Sequence, residues 1–437
     1  MAMRMDIVHE GVSELSYEIR EIVEVAKKVE SYGIEITWEN IGDPITKGEK
    51  VPQWIKEIIA ETVMEDDSYL YCPTKGLLET REFLAEENNR RNGVQITPED
   101  IIFFNGLGDA ITKIYGLLKK EARVIGPSPA YPTHSSAEGL HARCHPLTYR
   151  TDEGNNWYPD LEDLRNKVKY NPVISGILVI NPGNPTGSVY PKKVLDEIVD
   201  IANEYDLFIL CDEIYHNLVY NGRKHVYLSQ VIDDVCGISL KGISKEFPWP
   251  GARCGWMEVY NAHRDEVFKK YIEGICKFKM IEVCSTTLPQ KVIPKVMGDP
   301  RFQRYLEERR EYYQWASNLA YRRLKSIEGL LVNRTCGAFY MGVVFEREYL
   351  NGNSLKVENR KLREYIQRVS KGKPEDMRFT YYLLASTGIC VVPMSSFNTH
   401  LYGFRSTLLE RDRERLRWIY ETLGEKIEEY LNIVSPL

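Results

Sequence analysis

Between residues 98 and 260, short and mostly apolar runs alternate with segments of helical length, and this alternation constrains the fold more than any other feature. Ile101-Ile102-Phe103-Phe104, Arg123-Val124-Ile125, Gly176-Ile177-Leu178-Val179-Ile180 and Leu207-Phe208-Ile209-Leu210-Cys211 read as strands. None shows the apolar–polar alternation of a sheet with one wet face, so both faces must be covered. Helices expected from Asp109 to Leu118 and from about Lys192 to Tyr205 supply the cover. The pattern predicts an α/β fold with a largely parallel sheet. Ligands of such sheets bind beyond the carboxyl ends of the strands. Gly106, Asn184 and Asp212 each lie just past a strand, so they are expected to converge at one rim.

The flanking regions read differently. Ile19, Ile22, Val23, Ala26 and Val29 recur at helical spacing in a helix over 15–32, which Gly33 ends. Ile34-Glu35-Ile36 reads as a short strand leading to Asn40-Ile41-Gly42-Asp43-Pro44, and Pro52 opens a helix to Met64. Long helices are expected at about 262–282 and 300–327, then α+β character after Gly337 and a last helix near 410–431. We therefore expect a large domain over 47–312 and a smaller α+β domain built from 1–46 and 313–437. Arg309-Arg310 and Arg322-Arg323-Leu324-Lys325, interleaved with Glu and Tyr, read as solvated helix faces. The region 346–378, with Asn351-Gly352-Asn353 and Lys371-Gly372-Lys373-Pro374, reads as an exposed insertion.

Composition removes several function classes. A net charge of −6 gives no electrostatic reason for nucleic acid. No apolar stretch reaches the roughly 20 residues that cross a bilayer, and the polar start Met5-Asp6-Ile7-Val8-His9-Glu10 is not a signal core. Nine cysteines, none at CxxC spacing, suit neither a disulfide framework nor a zinc site. The expectation is a reduced, cytoplasmic protein with no metal, no nucleic-acid partner and no membrane partner.

The chemistry concentrates in Gly242-Ile243-Ser244-Lys245-Glu246-Phe247-Pro248-Trp249-Pro250-Gly251-Ala252-Arg253. Lysine forms Schiff bases with carbonyl compounds, and arginine clamps phosphate in fork geometry. An amine for an aldehyde beside a clamp for a phosphate suggests pyridoxal 5'-phosphate (PLP). Upstream, Asn181-Pro182-Gly183-Asn184-Pro185-Thr186-Gly187 follows a buried strand and holds Asn184 at the rim. Cys211-Asp212-Glu213-Ile214-Tyr215 ends the next strand, where a buried Asp is costly unless it meets a cation.

These motifs, in this order, resemble the class I and II aminotransferases, the PLP enzymes of fold type I, over about Tyr17 to Leu431. The resemblance implies a three-layer α/β/α large domain with a smaller α+β domain. It implies that Lys245 holds PLP as a Schiff base and moves the substrate's α-proton, and that Asp212 pairs with the pyridine nitrogen. Asn184 and Tyr215 would bond the ring's 3-hydroxyl, and Tyr131 would stack on the ring. Gly106, Leu107 and Gly108 would open a helix toward the phosphate, joined by Arg253 and by Ser244. Gly242 stands where the family often has a further hydroxyl. Tyr71, in Tyr71-Cys72-Pro73-Thr74-Lys75-Gly76, matches the tyrosine that reaches the neighbouring subunit's phosphate, which implies a homodimer with shared sites. Arg405, in Gly403-Phe404-Arg405-Ser406-Thr407, matches the arginine that grips the substrate α-carboxylate, with Gly42 and Asn184 adding contacts. Cys336-Gly337-Ala338-Phe339-Tyr340 resembles a family strand, with Thr335 in place of its proline.

The reaction so implied moves an α-amino group from an amino acid to a 2-oxo acid. A C–S β-lyase would carry the same PLP residues, because pocket shape decides which bond breaks. A PLP-fold regulator and a Rossmann enzyme fit less well, since Lys245 is intact and no GxGxxG follows the first strands. His134, His141 and His145 read as structural or solvated, and Cys211 and Cys254 as small core fillers. Trp38 and Trp249 read equally as pocket or core.

Overall fold

The computed structural model describes residues 5, 7–15, 18–350 and 352–432. Asp6, Tyr17, Asn351, residue 16 of the expected 15–32 helix and the Ile19 side chain lie outside the described residues.

Eight strands form the main sheet in the order Ile101–Phe104, Gly255–Tyr260, Gly237–Gly242, Phe208–Asp212, Ile174–Ile180, Arg123–Ser128, Thr148–Asp152, Tyr158–Pro159. The five from Gly237–Gly242 to Thr148–Asp152 pair in parallel, while Gly255–Tyr260 and Tyr158–Pro159 run antiparallel to their neighbours. All four expected strands form. Two further strands, Gly237–Gly242 and Gly255–Tyr260, whose buried Lys241 and Glu258 interrupt the apolar pattern, flank the Lys245–Arg253 run and are buried throughout. They deliver that run to the rim where Asp212 ends.

Period two explains the layers. Ile177, Val179 and Ile209 face one core, where they meet Leu195, Ile198, Val199 and Ala202 of the Lys192–Glu204 helix. Leu178, Ile180 and Leu210 face the other, against Ile111 and Ile114 of the Leu107–Gly116 helix. Each such buried valine, leucine or isoleucine contributes about 1.5–3 kcal/mol. Gly176 lets the sheet close, because a Cβ there would sit 2.6 Å from the Phe208 ring.

The second sheet is antiparallel, in the order Leu330–Val332, Tyr340–Phe345, Gly403–Thr407, Val392–Pro393. Its core joins Ile22, Val25, Ala26 and Val29 from the start of the chain to Phe339, Leu383, Phe404 and Leu423 from its end. The strand expected at 34–36 forms instead at Thr37–Trp38, where the chain finds a parallel partner in Ile389–Cys390. The Thr287–Met297 helix was not expected, since it carries Pro289 in its first turn and Pro294 inside. The 346–378 region is not an exposed insertion. Leu355, Val357, Leu362 and Ile366 are buried in the second core, and Arg360–Ser370 is an amphipathic helix. The turn formers at its two ends hid the apolar spacing between them.

Candidate active site

Gly106 caps the Leu107–Gly116 helix at φ 85°, a conformation that suits glycine. A Cβ there would overlap the Arg253 guanidinium. The bare glycine thus lets the cation close on the helix start. The helix begins two residues before the expected Asp109, so Leu107 and Gly108 supply its first-turn amides. Helix dipole and guanidinium together make an anion site. Asp109 does not spoil it, because its carboxylate accepts the Asn105 N–H at 3.0 Å and pairs with Lys113. Arg253 is held in the left-handed region (φ 48°) by the Pro250–Ala252 turn, and its Nη1 donates to the Pro250 carbonyl at 3.1 Å.

Asp212 ends its strand buried. One carboxylate oxygen accepts the Ile214 N–H at 3.1 Å, and the other lies 3.0 Å from His134 Nε2. A carboxylate only accepts, so Nε2 carries the hydrogen. Of the structural and solvated readings of His134, the structural one holds, with an acidic partner that the sequence did not show: the buried ring orients Asp212. The sequence places His134 in the first turn of the Pro132–Ala142 helix but gives no sign of Asp212 as its partner. Neighbouring histidines keep the bland reading, with His141 bonded to the Ala122 carbonyl at 3.0 Å and His145 beside Glu14.

Across the cavity, the Tyr215 hydroxyl donates to the Tyr340 hydroxyl at 3.1 Å. Burial pushes Tyr215 well above the ordinary tyrosine range, which keeps it a neutral donor. Tyr340 was not foreseen as a site residue. It pairs with Thr407 in register, two positions along from the Gly342–Arg405 pair, so the same sheet presents Tyr340 and Arg405 together. Arg405 is 2% exposed; its guanidinium stacks 4.4 Å from the Tyr340 ring and 5.0 Å from the Phe397 ring. Its Nη1 donates to Asn184 Oδ1 at 3.2 Å, and Nη2 donates to the Asn40 carbonyl.

Lys245 Nζ donates to the Gly42 carbonyl at 2.6 Å. Burial, opposed by Asp43 and aided by Arg405, Arg253 and Arg309, lowers the ammonium to about 8. At pH 7 about one amine in ten is then neutral, against fewer than one in a thousand for an ordinary lysine. Gly42 has no room for a side chain, since the Tyr340 hydroxyl fills that space.

Leu107, Gly108, Tyr131, Asn184, Asp212, Tyr215, Ser244, Lys245, Arg253 and Tyr340 line one cavity. Gly106, Gly42 and Arg405 stand directly behind this lining through the contacts just described. Tyr71 does not line it; the side chain is 83% exposed on the single chain. Trp38 and Trp249 pack into the cores. Cys211 and Cys254 are buried, and desolvation raises both thiols. Arg309, expected on a solvated face, is 2% exposed and donates to the Lys245 and Glu246 carbonyls at 2.7 and 3.1 Å. Its turn of the Arg301–Leu324 helix faces inward, which a helix with so many charges disguises.

The residues fit PLP: an amine of lowered basicity, a glycine-capped helix start under a guanidinium, and a buried carboxylate oriented by a histidine. This sheet with this rim is that of a fold-type-I PLP enzyme. The chain belongs to the aminotransferase class I and II family, whose pattern matches residues 37–419. It is 67% identical over 430 residues to an uncharacterized aminotransferase of Methanocaldococcus jannaschii, covering 98% of this chain and 100% of that one. Glutamate-pyruvate aminotransferase AlaA of Escherichia coli K12 is 31% identical over 334 residues, 76% of this chain and 80% of that protein. Among solved structures, an alanine aminotransferase of Pyrococcus furiosus superposes with a TM-score of 0.83 at 28% identity, covering 98% and 100% of the two chains. The protein is a PLP-dependent aminotransferase that moves an α-amino group from an amino acid to a 2-oxo acid. None of these relatives points to a C–S lyase. Among the described residues, no helix is long and apolar enough to cross a membrane.

Proposed function

We propose that this aminotransferase interconverts the alanine–pyruvate and glutamate–2-oxoglutarate pairs, with Lys245 as its Schiff-base lysine. The observation that carries the site assignment is the Lys245 amine, lowered to about 8 in the cavity that also holds Asp212, Asn184 and Arg253. The substrate pair rests on the activities that the names of the AlaA and Pyrococcus relatives give.

Bound there, PLP supplies an aldehyde that condenses with amines and a cationic ring that draws electrons from the substrate's α-carbon. Asp212, oriented by His134, would hold the ring nitrogen's proton. Asn184 and Tyr215 would hold the 3-hydroxyl, Tyr131 the ring face, and Arg253, Ser244 and the amides of Leu107 and Gly108 the phosphate, with Gly106 giving Arg253 room to approach. Neutral Lys245 accepts the α-proton and returns it, a role that its lowered basicity suits. Arg405 takes the α-carboxylate in a fork, with Asn184 and the Gly42 backbone beside it.

The division into 47–312 and 1–46 with 313–437 draws support from the two cores of the main sheet, which lie wholly within 47–312, although Tyr215, Leu218 and Tyr220 reach into the core of the chain ends; Gly42 and Arg405 then approach Lys245 from the smaller unit. A cytoplasmic homodimer completes the reading. Tyr71 would reach the partner's phosphate site, consistent with its exposure beside exposed Tyr69 and Leu70. Mixed dimers of Tyr71→Phe and Arg253→Ala subunits would then regain part of the activity, whereas purely additive behaviour would refute shared sites.

The test is the visible spectrum of holoenzyme during single additions of amino acids without an acceptor. Alanine and glutamate should each convert the cofactor band once, releasing one equivalent of pyruvate or 2-oxoglutarate. Band recovery with ammonia beyond one equivalent would mean elimination instead. Conversion by other amino acids alone would refute the substrate pair.

A further inference from the structure

Arg309 lies outside the cavity, yet it is the group that grips the backbone of the catalytic lysine. One edge of its guanidinium donates to the carbonyls of Lys245 and Glu246. The other edge forks onto Glu49, with Nε–Oε1 2.6 Å and Nη2–Oε2 3.3 Å. Glu49 also accepts from the Tyr313 hydroxyl at 2.9 Å and pairs with Arg411 at 2.6 Å. Against the effect of burial, Arg309 and Arg411 hold its carboxyl below the usual range.

Glu49 ends the segment that begins at Glu39, and both ends are pinned by buried carboxylates. Glu39 pairs with Lys47 at 2.6 Å and accepts from the Thr407 hydroxyl. Between the two lies Gly42, whose carbonyl accepts Lys245 Nζ. The two ends of Lys245 are therefore tied to the same segment: Nζ directly through Gly42, and the carbonyl through Arg309 and Glu49. The Asn40 carbonyl in that segment also takes Arg405 Nη2. This closed ring of contacts fixes how far the amine extends relative to the place where Arg405 stands.

We propose that Arg309, braced by Glu49, is a positioning residue that sets where the Lys245 amine stands. The proposal rests on the assignment of Lys245 as the Schiff-base lysine. Lysine at 309 would keep the charge against Glu49, but a point ammonium cannot serve the carboxylate fork and two carbonyls together. Arg411 is the internal comparison, because it pairs with the same Glu49 oxygen yet has no bond to the Lys245 backbone.

The experiment compares Arg309→Lys with Arg411→Lys as holoenzymes. Misplacement of the reacting amine by a fraction of an ångström should lower kcat about tenfold or more in Arg309→Lys, with KM for the amino donor within about threefold because ground-state binding is untouched. The pH midpoint of the cofactor's visible band should move by about half a unit or more in the same variant. Arg411→Lys should stay within about threefold on both constants, with an unmoved midpoint. Equal losses in the two variants, tracking a common fall in Tm, would overturn the proposal, as would no loss in either. Should Arg309→Lys not fold, Glu49→Gln reads the same link from the other side: loss of kcat with a shifted midpoint supports it, and wild-type values overturn it. Borohydride reduction and peptide mapping keep the two questions apart. Label on a lysine other than Lys245 defeats the assignment itself, whereas label on Lys245 with matching variants defeats only the role of Arg309.

Discussion

Replacing Lys245 by methionine should make the cofactor-free enzyme more stable at neutral pH and, if Lys245 is the Schiff-base lysine, should abolish catalysis. The folded chain lowers the Lys245 ammonium to about 8 from an ordinary 10.5, chiefly by burial. Between those two pH values the unfolded chain binds more protons than the folded one, so stability rises with pH there. The cost of the buried amine is absent above pH 10.5 and complete below pH 8. A displacement of that size corresponds to about 3 kcal/mol. Methionine fills a similar volume without charge, but it strands the Gly42 carbonyl that Nζ now satisfies, which costs about 1 kcal/mol. The net gain expected at pH 7 is about 2 kcal/mol. The assay is guanidinium unfolding of cofactor-free wild type and Lys245→Met at fixed protein concentration, from pH 7 to pH 10.5. The variant should be the more stable at pH 7, and the gap should close and reverse as the wild-type amine loses its proton. A difference independent of pH would show that the folded site does not perturb this lysine, and the account of its proton-transfer role would fail with it.

Arg405→Ala leaves a substrate carboxylate unpaired in a buried site, so kcat/KM should fall by on the order of 2–4 kcal/mol, about 30- to 1000-fold; unchanged amino-acid affinity would remove it from the site. His134→Leu removes one hydrogen bond to the Asp212 carboxylate, a loss of about 1.5–3 kcal/mol. Cofactor titration of the cofactor-free variant should show binding weakened about 10- to 150-fold, and wild-type affinity would refute the orienting role. Gly106→Ala forces a side chain into φ 85° and against Arg253, so cofactor binding should weaken at least about tenfold. Gly116→Ala, at the open far end of the same helix, should bind as wild type does, and equal behaviour of the two would refute the cradle.

The chain's order of motifs was enough to place the candidate residues at one cavity. Strands that are apolar throughout must be buried on both faces, so residues just past them, Gly106, Asn184 and Asp212, had to meet at one rim. Lys245 and Arg253 announced themselves by side-chain chemistry alone. What the sequence could not carry were partnerships made across long separations. His134 reads as any helical histidine until the sheet brings it to Asp212, 78 positions away. Tyr340 belongs to the site only because its strand pairs in register with the one holding Arg405. Arg309 shows the limit most plainly. In sequence it is one cation among many on a charged helix, and its burial depends on Glu49, 260 residues distant, arriving to neutralise it. Local periodicity determines which segments are helix or strand and which residues can do chemistry. Only the packed structure decides which charges leave water, because an unpaired interior charge is costly and the partner that offsets it, as Glu49 does for Arg309, comes from a distant part of the chain.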